Sequence, residues 1–260
     1  EKAAARAAAA PPIPTAGQLQ QQYQAPSPSA DEMGRMTYED TLVKTGVSFA
    51  ILLVGAVIGW MLGSYLIVTI GAAIIGLVLG LVNTFKREPS PALILAYAFF
   101  EGVFVGGISM VYTILFGSTI VPMAVFGTLG VVGVTLALFA SGKVRASKRA
   151  TQIFMVAIFG YAAFSLVNLG LMLTGVTDSM FGLRDVEIGN TGIPLGVPLG
   201  ILVVLLAAYS LVLDFDGIKR GVTNGAARKY GWTAAFGLMV TVVWLYLEIL
   251  RLIALVMGRR

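Results

Sequence analysis

The sequence predicts an all-α membrane protein, a seven-transmembrane-helix bundle preceded by a disordered N-terminal tail. Of the 260 residues, 57% are hydrophobic and 12% are charged, and the mean hydropathy is +0.87. A soluble domain carries about 25% charged residues, so most of this chain is expected to face lipid. The second observation is that seven apolar stretches reach the length of about 20 residues that a helix needs to cross the hydrocarbon core.

The first element is the tail. Residues 1–35 are rich in Ala, Pro, Gln and Ser and lack an apolar period, so they cannot bury enough surface to offset the entropy of ordering. We therefore divide the chain into a disordered cytoplasmic tail (1–35) and a transmembrane domain (36–260). Thr37 is a candidate N-cap, and Asp40 three residues later completes an acidic variant of the capping box. A short amphipathic helix is expected to lead from there into the first span.

The seven spans follow in order, and the charges of their loops test the count. Loops after the second, fourth and sixth spans are basic, whereas the loops between them are nearly uncharged or net acidic. By the positive-inside rule the basic loops and the N-terminus are cytoplasmic. The predicted spans are 43–62, 65–85, 91–116, 120–141, 151–174, 193–213 and 232–257.

The seventh span conflicts with this charge pattern, because a seven-span chain that starts inside ends outside, yet this one closes with Arg259 and Arg260. Either the seventh segment crosses fully or it is re-entrant. Its long, almost unbroken hydrophobicity favours a full span. Within the spans, glycines recur at four-residue spacing, which lets helix backbones approach closely. These pairs are Gly55 and Gly59, Gly76 and Gly80, and Gly102 and Gly106.

The missing residue types exclude several classes of protein. The chain has no cysteine and no histidine, so thiol catalysis, disulfides and ordinary zinc sites are excluded, and pH sensing must use other groups. A retinal protein needs a lysine in the last span, and rhomboid-type catalysis needs a histidine. We expect no enzymatic activity and no cofactor. The net charge of +5 reflects membrane orientation, so no nucleic-acid partner is expected.

Charged side chains within the spans are the candidate functional residues, because each costs at least about 2.5 to 3.5 kcal/mol in a membrane. Glu101 lies in the third span, Asp214 and Asp216 at the end of the sixth, and Glu248 with Arg251 in the seventh. Glu248 and Arg251 share a helix face at i, i+3 and can form a structural pair. Asp214 and Asp216 point in different directions, so only one of them is expected to face the bundle.

At these positions the sequence resembles the Bax inhibitor-1 family (transmembrane Bax-inhibitor-motif proteins) in its bacterial branch. The resemblance extends from Met36 to about Leu255. It implies six helices around a central seventh, a calcium leak across the bacterial inner membrane, and two aspartates on the last two helices that form a pH-sensitive latch. The matching motifs are Phe100-Glu101-Gly102, Leu213-Asp214-Phe215-Asp216-Gly217-Ile218-Lys219-Arg220-Gly221 and Leu245-Tyr246-Leu247-Glu248-Ile249-Leu250.

The resemblance assigns the latch to Asp214 and Glu248, the latter one methylene longer than the family's aspartate. Two carboxylates in one low-dielectric site cannot both ionise cheaply, so they are expected to share a proton, and deprotonation is expected to favour an open bundle. The freed carboxylates could transiently bind Ca²⁺. Glu101 is a further ion-handling candidate, and Asp216 and Arg251 are secondary ones.

Three functions follow as hypotheses. The first is a pH-sensitive, Ca²⁺-permeable channel or leak whose partners are the lipid bilayer, Ca²⁺ and H⁺. The second is a proton-coupled small-solute transporter that uses Glu101 and Glu248 as relay sites, and it predicts saturable flux that collapses with the proton gradient. The third is a non-conducting membrane adaptor, which predicts no flux.

Overall fold

The computed structural model describes Thr15, Gly17, Gln20 and residues 33–258. Its seven long helices are each long and apolar enough to cross a membrane, which confirms the predicted fold class. Nearly all of the predicted disordered tail lies outside the described residues. The long helices are α1 (Tyr38–Leu62), α2 (Leu66–Phe85), α3 (Pro91–Phe116), α4 (Ile120–Ala140), α5 (Lys148–Leu173), α6 (Gly196–Thr223) and α7 (Gly231–Met257), and 3₁₀ turns occupy Gly182–Asp185 and Arg228–Tyr230.

Helix α1 begins at the predicted cap. The Thr37 hydroxyl accepts a hydrogen bond of 3.2 Å from the backbone N–H of Asp40. The Asp40 carboxylate does not close a capping box, because it pairs with Lys44 and with Arg228 of the α6–α7 loop. The short entry helix expected after Thr37 is not separate from the first span, since the helix is continuous from Tyr38 to Leu62.

Replacing Thr37 by alanine tests this cap. The variant leaves the Asp40 N–H without its side-chain acceptor, and an N-cap of this kind contributes about 0.5–2 kcal/mol. We expect a matching loss in the free energy of unfolding, measured by denaturant titration in mixed micelles. Thr84→Ala, which removes an exposed hydroxyl bonded only to the Gly80 carbonyl of its own helix, is the control. An equal loss in both variants would contradict the capping role.

Helix α7 is the centre of the bundle. It packs against α1, α3, α4 and α6, whereas α2 packs mainly on α3 and α5 mainly on α6. Of its most apolar 18-residue stretch, 56% is buried, against 6% for α5. The helix runs unbroken for 27 residues, about 40 Å at 1.5 Å per residue, which exceeds the hydrocarbon thickness. This continuity supports the full seventh span and not a re-entrant segment.

Helix α6 extends about ten residues beyond its predicted end. The helix continues past Asp214 to Thr223, and it stops where Gly225 adopts a positive φ of 62°. Apolar length alone underestimated it, because charged residues in the last turns still suit a helix C-terminus. The bundle has two ends. The basic end holds residues 33–37 and the α2–α3, α4–α5 and α6–α7 loops, and the opposite end holds the other loops.

Glycines bring α1 and α3 into backbone contact. A methyl group on Gly102 or Gly106 would lie 2.1 or 1.9 Å from a carbonyl oxygen of α1. A methyl group on Gly55 or Gly59 would lie 2.3 or 2.1 Å from a carbonyl oxygen of α3. The four-residue spacing seen in the sequence therefore does pack helices closely within one chain.

Candidate functional site

The most densely bonded charged group lies around Glu248 on α7. Glu248 is 2% exposed. Its Oε2 accepts a hydrogen bond of 2.8 Å from the Tyr161 hydroxyl of α5 and pairs with Nη1 of Arg251, which confirms the predicted i, i+3 pair. Its Oε1 lies 3.8 Å from Nη1 of Arg184. Two guanidinium groups thus face one carboxylate, and we call Glu248, Arg251, Arg184 and Tyr161 the Glu248 cluster.

Arg184 reaches this cluster from outside the helices. It lies on the 3₁₀ turn Gly182–Asp185 in the α5–α6 loop (residues 174–195), yet it is only 5% exposed. Its Nη2 donates to the Tyr161 hydroxyl at 3.0 Å and to Ser165 Oγ at 3.1 Å. The guanidinium also stands over the rings of Tyr161 and Phe164, at 5.3 and 5.6 Å. Its Nε is buried and has no hydrogen-bond partner.

Asn168 of α5 holds the turn that carries Arg184. The Asn168 amide donates to the Phe181 carbonyl at 3.2 Å, and its Oδ1 accepts from the Leu183 N–H at 2.7 Å. Gly182 between them has a positive φ of 60°, and a methyl group there would lie 2.4 Å from Asn168 Oδ1. A glycine is required for this seating, because any other residue would be both strained and obstructed.

A cavity of about 320 Å³ lies beside the Glu248 cluster at the opposite end. Its polar lining consists of Arg184, Arg251, Tyr112, Tyr161 and Ser165, with Asn168 at one side. The charged groups on this wall are both cationic. A cation that enters the cavity therefore meets two guanidinium groups before it can reach the carboxylate behind them.

Asp214 lies in a different setting, toward the basic end. Its Oδ2 accepts a hydrogen bond of 2.7 Å from the Thr241 hydroxyl of α7, and its Oδ1 faces Gly237. It also lines a cavity of about 540 Å³ between α2, α6 and α7, together with Lys86, Arg87 and Asn83. This carboxylate is therefore reached from the basic end through the cavity.

Asp214 and Glu248 do not meet, so the predicted shared-proton pair is absent from this structure. Glu248 faces Gly200 of α6, where a methyl group would lie 3.7 Å from Oε1. Asp214 is fourteen residues further along α6, about 21 Å at 1.5 Å per residue. Joint binding of Ca²⁺ by both carboxylates is incompatible with this separation. Among the described residues, no group of three or more acidic, histidine or cysteine side chains could hold a metal ion.

The other two predicted acids have separate positions. Asp216 pairs with Arg220 on its own helix at 2.9 Å, whereas Asp214 contacts Thr241 of α7. Glu101 is half-buried between α3 and α2, where its carboxylate packs on Gly76 and interacts with Tyr97 one turn earlier. It contacts neither Asp214 nor Glu248 and lines neither of the two cavities.

Packed side chains separate the two cavities, and no residue lines both. Between Thr241 and Glu248, the α7 residues Val243, Leu245 and Tyr246 are buried. The Tyr246 hydroxyl lies 2.6 Å from Ser109 Oγ of α3. Buried side chains of α7 thus lie between the contacts of Asp214 and Glu248, and Val243, Tyr246 and Ser109 also line a cavity of about 810 Å³ against α1 and α4.

The basic end has a surface ion pair near the cavity that Asp214 lines. Lys229 donates to Oε1 of Glu88 at 2.7 Å, which ties the α2–α3 loop to the start of α7. This hydrogen bond and the positive charge of Lys229 lower the pKa of Glu88. The stability that this contact contributes is therefore fully present above the ordinary pKa of a glutamate. It is lost as the pH falls through the lowered pKa of Glu88.

A family model described as Bax inhibitor 1 like matches residues 9–258. The chain belongs to the Bax inhibitor 1 like family. The family resemblance of the sequence motifs is thereby confirmed, and with seven apolar helices the chain is a multi-pass membrane protein of this family. No curated protein matches the chain.

In this Bax inhibitor 1 like chain, sequence reasoning missed Thr241 and the two partners of Glu248 from other elements. Thr241 occupies the place on α7 that faces Asp214, so the chain has one carboxylate where the resemblance implies two. Arg184 and Tyr161 gave no signal, because an arginine in a polar loop and a tyrosine in an apolar span are both common. The one hint was the apolar flank of Arg184, with Phe181 and Leu183 close before it.

Proposed function

We propose that the chain is a pH-sensitive, Ca²⁺-permeable channel or leak of the bacterial inner membrane, with its basic end and N-terminus in the cytoplasm. The observation that carries this proposal is the pair of separate cavities. One approaches Asp214 from the basic end, and the other approaches the Glu248 cluster from the opposite end. Between them lie the buried α7 residues Leu245 and Tyr246, and the Tyr246 hydroxyl is 2.6 Å from Ser109 Oγ. This is the arrangement expected of a pore in its closed state.

The basic residues of the α2–α3, α4–α5 and α6–α7 loops support the orientation through the positive-inside rule. Carboxylate oxygens are the ligands that Ca²⁺ prefers, which supports a cation as the permeating species. Of Asp214 and Glu248, only Asp214 is available to an ion in a cavity in the closed state, because Glu248 faces two arginines. Ca²⁺ from the cytoplasmic side is therefore expected to meet Asp214 first.

Asp214 is the proposed pH-sensitive group. A protonated carboxyl fits the contact between α6 and α7, whereas an ionised one has a single protein donor there, the Thr241 hydroxyl, at 2.7 Å. Ionised carboxylates need several hydrogen bonds or water, so deprotonation favours separation of α6 from α7 and entry of water. Flux is accordingly expected to rise with pH on the cytoplasmic side.

The test is Ca²⁺ flux into indicator-loaded liposomes across a pH series. Asp214→Asn imitates the protonated form, so we expect flux about tenfold below wild type at the alkaline end and no pH dependence, equivalent to about 1.4 kcal/mol in the gating equilibrium. Asp216→Asn, two residues away and paired with Arg220 on its own helix, is the control and should keep the wild-type profile. An unchanged profile in Asp214→Asn rejects the pH role. Saturable flux of a small solute that collapses with the proton gradient would instead favour a transporter.

A further inference from the structure

The opposite end of the bundle is closed by a segment that does not belong to any span. The α5–α6 loop folds back between the helices, and its Arg184 is 5% exposed although the loop as a whole lies at the surface. A guanidinium in this position has lost most of its water. That cost is offset by the carboxylate of Glu248, two hydroxyl acceptors and two aromatic rings.

Arg184 is bonded less completely than its burial requires. Its Nη1 is 3.8 Å from Glu248 Oε1, which is longer than a hydrogen bond, and its Nε has no partner. Arg251 already holds Oε2 of the same carboxylate. Arg184 is therefore bound to Glu248 more weakly than Arg251 is, and it is the one that lies on a loop.

We propose that Arg184 is a tethered cation that occupies the Glu248 site in the closed state, and that withdrawal of the α5–α6 loop uncovers this site from the opposite end. The inference deepens the proposed function, on which its relevance to conduction rests. With Arg184 seated, two guanidinium groups face one carboxylate, and the excess positive charge repels a mobile cation. When the loop withdraws, one guanidinium remains for one carboxylate, and the cavity loses its excess positive charge.

The loop's attachment indicates how it could withdraw as a unit. Two hydrogen bonds from Asn168 hold the turn, and both involve backbone groups on either side of Gly182. The Asp185 carboxylate accepts from the Phe181 N–H at 3.1 Å, within the same turn. The turn is thus internally bonded. It is freed without the loss of its own structure when Asn168, Arg184 and the buried Phe181 ring, which packs on Tyr112 and Phe116 of α3, are all released.

The absence of cysteine from the chain allows a direct test. Ile108 of α3 lines the cavity and contacts neither Asn168 nor Arg184 through any hydrogen bond, so Ile108→Cys provides a single reporter thiol. Purified Ile108→Cys protein in detergent is treated with a cationic and with an anionic methanethiosulfonate. If the loop is a plug, adding Arg184→Gln raises the rates of both reagents by about tenfold, or about 1.4 kcal/mol in the free energy of opening.

The two reagents separate opening from a simple change of charge. A faster reaction of the cationic reagent with a slower reaction of the anionic one would mean that the loop stays in place, and this result would overturn the proposal. Unchanged rates of both reagents would overturn it as well. Asn168→Ala, which keeps Arg184 but removes both loop contacts, should also raise both rates and serves if Arg184→Gln does not fold. Asn83→Ala is its matched control, because Asn83 makes two comparable bonds to backbone carbonyls at the basic end.

Ca²⁺ flux of the same variants distinguishes this inference from the proposed function. If both rates rise and Arg184→Gln also leaks more Ca²⁺ than wild type, both ideas are supported. If both rates rise but no variant conducts Ca²⁺, the plug is supported and the conduction proposal fails.

Discussion

Gly106→Ala is expected to destabilise the bundle by at least about 3 kcal/mol, the upper end of the usual cost of overpacking. The added methyl group would lie 1.9 Å from the Ala56 carbonyl oxygen and 2.8 Å from the Trp60 nitrogen. Both are backbone atoms of α1, so no side-chain rotation relieves the overlap. The two helices would have to separate, and the close contacts of Gly55, Gly59 and Gly102 would be lost together.

The matched control is Gly130→Ala on α4, where an added methyl group has no atom within 4 Å. Alanine is the better helix former by about 0.8–1 kcal/mol, so this variant should be neutral or slightly more stable. Both free energies of unfolding can be measured by denaturant titration in mixed micelles. Equal effects of the two substitutions would show that the α1–α3 contact does not limit stability.

The bundle itself could be predicted from the sequence because lipid imposes strict rules on length and polarity. Six of the seven helices begin and end within about five residues of the predicted bounds. Apolar length and loop charge indicate these bounds directly. The exception is instructive. Helix α6 continues through Asp214 and Asp216, because a helix can project beyond the hydrocarbon core and the sequence pattern marks only the apolar part.

The acidic residues of the candidate site could be predicted, but most of their contacts could not. Charged residues inside spans stand out, so Glu101, Asp214 and Glu248 could be identified without a structure. Their pairing depends on how α6 and α7 align, and nothing local encodes that alignment. Asp214 faces Gly237 and Thr241, while Glu248 faces Gly200, and only the packing of two antiparallel helices decides this.

Glu248→Gln is expected to lower the free energy of unfolding by about 3–5 kcal/mol. Removing one partner of a buried ion pair leaves the remaining charges uncompensated. Here the amide would leave two cations without a counterion, the buried Arg184 and the half-buried Arg251. Asp216→Asn supplies the control, since its partner Arg220 has a side chain 67% exposed and such pairs contribute about 0–1 kcal/mol.

A double-mutant cycle decides whether charge is the cause. If the penalty of Glu248→Gln comes from uncompensated guanidinium groups, then adding Arg184→Gln should recover part of the loss, so that the double variant is more stable than the sum of the single changes implies. Glutamine and glutamate fill nearly the same volume, so little loss is expected from packing. If the loss nevertheless does not depend on charge, the two changes should add. Additivity would therefore remove the electrostatic account of the Glu248 cluster, and with it the reason for a loop arginine to be held beneath the surface.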